Sequence, residues 1–276
     1  NKEELLSLFP LAKTESASSF GKSEVYIEKY IQKPRHIEFQ IIADNYGNIV
    51  CAGERECSIQ RRHQKLIEES PAPGLSARAR KIIKEYAVRA AHAVNYKNLG
   101  TIEFLVDENE NFYFMEINSR IQVEHPVTEM VTGLDLIKEQ IKIAAGEKNN
   151  HTGADFEQNG KAIEFRINAE DSENNFIPSP GKIMDYFLPG GPGIRVDTFI
   201  HSNCTISPFY DSLIAKLIVW GISREEAISR SIRALDEFKI EGIKTTIPFH
   251  KKILSNESFR AGQIHTHFIE EEFNNI

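Results

Sequence analysis

The stretch FYFMEINSRIQVEH, residues 112–125, places Glu116, Asn118, Arg120, Gln122 and Glu124 at every second position. Side chains of an extended chain alternate between two faces, so this spacing lines five strong hydrogen-bonding groups along one side. Such a side suits a polar ligand, or water. Just upstream, GTIEFLVDENENFYFMEIN reads as a hairpin. With residues 108–111 as a four-residue loop, Asp107 is expected to pair with Phe112, Leu105 with Phe114 and Glu103 with Glu116. Directly opposed Cβ atoms lie about 5 Å apart. Two carboxylates there repel by about 3 kcal/mol at an effective dielectric of about 20, and by under about 1 kcal/mol when solvated. A hard divalent cation offsets that repulsion, and Mg²⁺ takes one or two carboxylates together with phosphate oxygens and water. The competing reading is a solvated hairpin end whose two acids turn apart; Asn118 and the polar strip beyond it weigh toward a site for both metal and anion.

The hexapeptide QRRHQK, residues 60–65, concentrates basic nitrogen in a chain that is acidic overall. It is either an exposed loop paired with Glu54, Glu56, Glu68 and Glu69 or, with Arg120, a cradle for a small oxyanion. The sequence contains neither a GxxxxGK[ST] phosphate loop nor a GxGxxG dinucleotide motif. PGGPG at 189–193 opens no helix. His265 and His267 read as ordinary surface residues rather than a metal site.

The elements that must position these residues follow from periodicity. SEVYIEKYI reads as a strand, and RHIEFQIIADNYGNIVCAGERECSIQ as strand, turn and strand with turn chemistry at 45–48. SARARKIIKEYAVRAAHAVN is a helix N-capped by Ser76, and TEMVTGLDLIKEQIKIAAG a second helix ending at Gly146. The polar stretch 147–160 marks a boundary. Beyond it KAIEFRINAE, KIMDYFL, GIRVDTFI and SLIAKLIVWG are strand-like, SREEAISRSIRALDEFKI is a helix, and short helices and turns close the chain. With no internal repeat, an α+β architecture in two main parts is the simplest outcome.

Composition sets outer limits. The 276 residues carry 33 basic and 40 acidic side chains and a net charge of −7, which argues against nucleic-acid binding by a bulk positive field. Cys51, Cys57 and Cys204 are too far apart in sequence for a zinc or disulfide framework, so a reducing, cytoplasmic setting is the default. No apolar run approaches the roughly 20 residues that span a bilayer. The opening lacks an initiator Met and reads as if something preceded it.

Taken in order, YIEKYIQKPRHIEFQ, ERECSIQRRHQK, IEESPAPG, GTIEF, FYFMEINSRIQVEHPVTEMVTGLDLIKEQ, RINAED, PSPGKI and YDSLIAKLIVWG closely resemble biotin carboxylase, the ATP-grasp component of biotin-dependent carboxylases. The resemblance runs over essentially the whole chain. It implies an ATP-grasp core with a mainly antiparallel sheet at 31–150, after a remnant of lid and hinge at 1–30. A biotin carboxylase C-terminal α+β domain at 151–276 would follow. It further implies carboxylation of carrier-bound biotin by bicarbonate, with ATP and Mg²⁺ or Mn²⁺, through carboxyphosphate. Glu28, Lys29, Tyr30 and Ile31 match the family's adenine segment, and His36, Gln60 and His63 further nucleotide contacts. Glu103 and Glu116 match the metal acids, with Asn118 beside them. Lys65, Arg120, Gln122 and the backbone of Val123 match the bicarbonate pocket, Glu124 the base that deprotonates bicarbonate, and Arg166 the arginine that stabilises the biotin enolate. A Glu held beside Arg120 is expected to have its pKa lowered, so a base there must recover basicity from burial or geometry.

The family's first domain, glycine-rich loop and two lid lysines have no counterpart in these residues, so the 276-residue chain alone is expected to be nearly inactive. Implied partners are a biotin carboxyl carrier protein, carboxyltransferase subunits and a second copy in a homodimer, with acetyl-CoA carboxylase the first context. The alternatives are another ATP-grasp ligase, which QRRHQK and RINAED weigh against, and a non-catalytic dimerising fragment.

Overall fold

The structure, a computed structural model, describes residues 1–151, 156 and 158–273. The chain divides into two compact units, 1–32 and 33–276. The first is built on helix α1 (Lys2–Phe20), opened by an Asn1 and Glu4 capping box and closed by Gly21 in the left-handed conformation. Its apolar side chains are exposed, and no residue of the helix is buried. The stretch SEVYIEKYI that follows is irregular and not the expected strand: a strand needs a neighbour for its backbone ladder, and the described residues give it none.

The second unit is α+β, as its periodicities predict. Strands β1 (Arg35–Ala43), β2 (Ile49–Arg61), β3 (Gln64–Ser70), β4 (Asn98–Val106), β5 (Phe112–Asn118), β6 (Lys161–Asn168), β7 (Ile194–Thr198) and β8 (Leu213–Gly221) form one sheet in the order β7-β8-β6-β3-β2-β1-β4-β5. Every pairing within it is antiparallel. The sheet therefore runs through sequence on both sides of the polar stretch 147–160. Residues 152–155 of that stretch, beside the expected boundary at 150/151, lie outside the described residues, as do 157 and 274–276. KIMDYFL supplies only two-residue bridges at Gly181–Lys182 and Tyr186–Phe187.

Helix α2 (Ala77–Ala93), N-capped by the Ser76 hydroxyl as expected, lays Ile83, Ala87 and Ala91 over Ile37, Phe39, Ile41 and Phe104 on one face of β1 and β4. The opposite face of β1 presents His36, Glu38 and Gln40, yet these too are buried. That face is covered by what was expected to be a single helix and is in fact two, α3 (His125–Thr132) and α4 (Leu136–Ala144). Gly133, at φ 73°, ends the first, and the Asp135 carboxylate caps the second; both are stop and start signals inside an otherwise continuous apolar period. Helix α3 packs on β3, β6 and β8, and α4 on β4. On the far half of the sheet, α5 (Arg224–Glu237) and α6 (Ile247–Ser255) close a core of Phe165, Leu217, Leu235, Phe249 and Phe259 against β6 and β8. No helix among the described residues is long and apolar enough to cross a membrane.

Gly133→Ala is expected to cost about 1–2 kcal/mol from the left-handed backbone, read as a lower midpoint in chemical denaturation. Crowding contributes nothing, because no heavy atom lies within 4 Å of the added Cβ.

Candidate active site

The β4–β5 hairpin sets Glu103 opposite Glu116, and Thr101 opposite Asn118, as the sequence predicts, but by a different route. The loop is one residue shorter, with Asp107 N–H bonded to the Asn111 carbonyl and Glu110 at φ 60°. Leu105 consequently pairs with Tyr113 and not Phe114, and a bulge between Glu103 and Phe104 restores the register. Three-residue hairpins with a left-handed residue are a common alternative to four, and nothing in DENEN separates the two.

The row does not stop at the hairpin. Glu103 is also directly opposite Glu38 on β1, and Glu38 is opposite Arg55 on β2, so Arg55, Glu38, Glu103 and Glu116 form one line across four strands. Arg55 has no exposed surface. It donates from Nε to Glu38, from NH1 to Gln40 (2.9 Å) and Thr128 (3.0 Å), and from NH2 to Thr101 (3.1 Å) and Gln122 (3.2 Å). All five of its N–H groups are thereby engaged. Burial by itself would raise the Glu38 pKa, but Arg55 and Lys65 outweigh it and hold the carboxyl down at about 2.

Lys65 is where the strip and the hexapeptide meet. Its Nζ lies 2.6 Å from Glu38, 3.1 Å from Glu103 and 2.6 Å from Glu124. Burial acts to lower its pKa, and the three carboxylates reverse this and raise it. Glu103 also accepts from His36 Nε2 (2.9 Å), Asn118 Nδ2 (3.0 Å) and Gln122 Nε2 (2.6 Å). Against the upward push of burial, the His36 bond and the Lys65 charge bring it to about 2. Asn118 Nδ2 reaches Glu116 as well, at 2.9 Å; the two acids do not turn apart but share one amide. Glu116 itself is exposed on the edge strand.

Beyond Asn118 the chain leaves the sheet, so the alternation is not carried by a strand to Glu124. Convergence is achieved by the turn into α3. Glu124 is buried, with Lys65 on one oxygen and Arg166 NH2 on the other at 3.0 Å. The guanidinium beside it is thus Arg166 and not Arg120, which is exposed and donates to the Ile121 carbonyl. Val123 offers its carbonyl to Lys216 Nζ at 2.9 Å. Of the hexapeptide, only Lys65 joins this cluster. Gln60 is buried, and Arg62 and His63 form the exposed two-residue turn of the β2–β3 hairpin at φ 48° and 63°. Glu54, Glu56, Glu68 and Glu69 pair instead with Arg80, Arg35, Arg166 and Arg224. Glu28, Lys29 and Tyr30 are exposed and Ile31 half-buried, all in the first unit.

Glu38, Arg55 and Lys216 were not singled out from the sequence, and Glu68 only as a partner for an exposed basic loop. HIEFQ carries the same period-two signal as the hairpin, with His36, Glu38 and Gln40 alternating with Ile37 and Phe39. Arg55 and Lys216 lack such a signal, because their partners are set by strand order.

Two outcomes test this network. Arg55→Met, which leaves Glu38 buried without its guanidinium, is expected to destabilise the fold by about 3–5 kcal/mol in denaturant titration. Because the pKa values of Glu38 and Glu103 are depressed from 4.5 to about 2, their stabilisation is complete above pH 4.5 and is lost as pH falls toward 2. Glu38→Gln should flatten that acid limb of the stability–pH curve.

This chain is similar to known proteins over nearly its full length. Residues 1–152 match the family model of the carbamoyl-phosphate synthase L chain ATP-binding domain, and residues 164–271 that of the biotin carboxylase C-terminal domain. Biotin carboxylase 1 of Bacillus subtilis is 56% identical over 270 residues, covering 98% of this chain and 60% of the relative. A Methanothermobacter thermautotrophicus pyruvate carboxylase subunit is 54% identical over 270 residues, covering 98% and 55%. A crystal structure of the Hydrogenobacter thermophilus 2-oxoglutarate carboxylase biotin carboxylase domain dimer, in complex with MgADP, ADP and bicarbonate, superposes with a TM-score of 0.93 at 48% identity, covering 99% and 60%. The chain spans little more than half the length of the curated relatives it matches, and the order of its motifs, its fold and both family models make it a member of the biotin carboxylase family.

Proposed function

We propose that the protein carries out ATP-dependent carboxylation of biotin by bicarbonate, the biotin being held on a carboxyl carrier protein. The single observation that supports this best is Lys65 Nζ held among Glu38, Glu103 and Glu124, with Arg166 on the other side of Glu124. It brings two cations and a buried carboxylate, Glu124, together, next to a pair of acids suited to a divalent ion.

Lys65 and Arg166, with Arg120 at the rim and the amide of Gln122, bind and orient bicarbonate. Glu124 accepts its proton, so that a bicarbonate oxygen attacks the γ-phosphorus of ATP and ADP leaves, giving carboxyphosphate. Carboxyphosphate then breaks its C–O bond to release CO₂ and phosphate, and the phosphate takes the N1′ proton of biotin. Arg166 faces the ureido oxygen and stabilises the enolate so formed, and N1′ attacks CO₂ to give carboxybiotin. Phosphoryl transfer of this kind depends mostly on positioning and charge neutralisation. His36, Gln60 and His63, with the segment Glu28, Lys29, Tyr30 and Ile31, are the nucleotide contacts of this reading.

Glu103, Glu116 and Asn118 fit a magnesium or manganese ion. Glu116 is open to solvent, the two carboxylates already meet at one amide nitrogen, and half a turn of that amide presents Oδ1 in place of the N–H donor. An ion there would neutralise charge on the phosphate oxygens.

The lid remnant at 1–30, core at 31–150 and C-terminal domain at 151–276 belong to the same reading. So do a cytoplasmic setting, a homodimer and carboxyltransferase partners. Acetyl-CoA carboxylase is our first choice of context, although the relatives include a 2-oxoglutarate carboxylase domain and a pyruvate carboxylase subunit; the groups that select the final acceptor reside in the transferase.

In the full-length protein, Lys65→Gln should lower bicarbonate-dependent ATP cleavage by about 10²–10³-fold, the loss typical of a key charge-stabilising donor, with a small change in the KM for ATP. Wild-type ATP turnover indifferent to both bicarbonate and biotin would rule this function out in favour of a different ligase.

A further inference from the structure

Beneath α3 lies a second pair of opposed acids, which the reaction above does not use. Glu68 on β3 is directly opposite Glu164 on β6, and both have no exposed surface. Glu68 Oε1 accepts from Arg166 Nε at 2.6 Å, but Glu68 Oε2 and both oxygens of Glu164 have no hydrogen-bond partner among the described residues. The neighbouring elements offer none. On β8, Ile218 is opposite Glu164, and Lys216 is opposite Arg166 with its ammonium on the Val123 carbonyl. Helix α3 covers this face with Val127 and Val131, while its His125 bonds the Gln122 carbonyl and its Glu129 takes Arg195. The remaining ionisable groups that act on the pair are Arg166, Glu124, Lys65 and the Cys57 thiol, itself buried.

Three buried acceptor oxygens with no donor among them are costly, and two carboxylates at directly opposed positions cannot both ionise away from water. One proton removes the like-charge repulsion and pairs Glu68 Oε2 with one oxygen of Glu164, because a protonated carboxyl is a donor to its neighbour; of the three oxygens only the second one of Glu164 is then left without a donor among the described residues. We propose that Glu164 and Glu68 share one proton, carried on Glu164 and donated to Oε2 of Glu68, and that this acid pair is the positioning element for Arg166. Glu68 then remains an anion for the Arg166 Nε, and Arg166 NH2 is directed to Glu124 Oε2 at 3.0 Å. The backbone end of Arg166 is fixed independently. Its carbonyl accepts from Thr246 Oγ1 at 2.9 Å and from His250 Nε2 at 2.7 Å, and the unpartnered Nδ1 of His250 fits a neutral ring protonated on Nε2. Burial, then the neighbouring Glu68, raises Glu164 well above the usual carboxyl range, and burial raises Glu68 to about 7 against the pull of Arg166. The positioning role rests on the biotin reading of Arg166; the shared proton does not.

Glu164→Gln replaces the O–H donor with an N–H that cannot titrate, and Glu164→Met removes the donor. In the full-length wild-type protein, a protonated-carboxyl band should be present in the infrared at neutral pH and absent from Glu164→Gln. A raised acid contributes stability that is whole below its ordinary pKa of 4.5 and is lost as pH rises through the raised value. Wild type should therefore lose thermal stability with rising pH more steeply than Glu164→Gln. Glu164→Met should raise the KM for biotin about tenfold, about 1.4 kcal/mol, with recovery in Glu164→Gln. A missing band together with parallel pH–stability curves would overturn the shared proton. A band with an unchanged biotin KM in Glu164→Met would overturn the positioning role. If wild type shows no dependence on biotin at all, the proposed function fails, and the infrared and pH measurements still decide the proton.

Discussion

Placing the guanidinium of Arg55 in the middle of a sheet, with no contact with water, is the constraint around which the site is arranged. A buried cation is tolerated only when its donors are engaged and its charge is met. Arg55 meets both conditions with groups from four separate segments: Glu38 and Gln40 on β1, Thr101 on β4, Gln122 in the turn after β5, and Thr128 on α3. The same bonds that satisfy it fix Glu38 and Gln122, which in turn orient Lys65 and Glu103. The acids and the lysine are therefore not independent side chains facing a cleft. Each is held in one rotamer by neighbours that are themselves held.

This arrangement keeps opposite charges close without letting them cancel chemically. Lys65 is shared among three carboxylates, so an incoming anion can compete for it, and Glu124 is divided between Lys65 and Arg166 in the same way. Glu116, by contrast, has water on one side and Asn118 on the other. The buried end suits a small oxyanion and the open end a solvated ion with a phosphate chain. In the proposed function, the difference in exposure along one row of side chains is what separates the two tasks.

The sequence made several parts of this legible. Period-two alternation in FYFMEIN and RHIEFQ, turn residues at 45–48, and Ser76 before an amphipathic run led to β1, β2, β4, β5 and α2. The opposition of Glu103 and Glu116 followed from pairing alone. Other expectations failed for local reasons. SEVYIEKYI has strand composition but no neighbouring strand, the Gly133 stop was hidden in a continuous apolar period, and a three-residue loop with a compensating bulge mimics a four-residue loop at the far end of the hairpin.

By itself the sequence determined which residue types could do this chemistry and which faces of which strands they occupy, because side-chain direction in a strand depends only on parity. Only the tertiary structure decided the partners. Arg166 and not Arg120 meets Glu124, and Arg55 stands at the end of the row beside Glu38, because β6 adds to β3 and β2 to β1. Strand order is a long-range property, set by how the two apolar faces are covered, and no local pattern encodes it. The protonation of Glu68 and Glu164 belongs to the same category: two glutamates 96 positions apart become one acid only when adjacent strands press them together out of water.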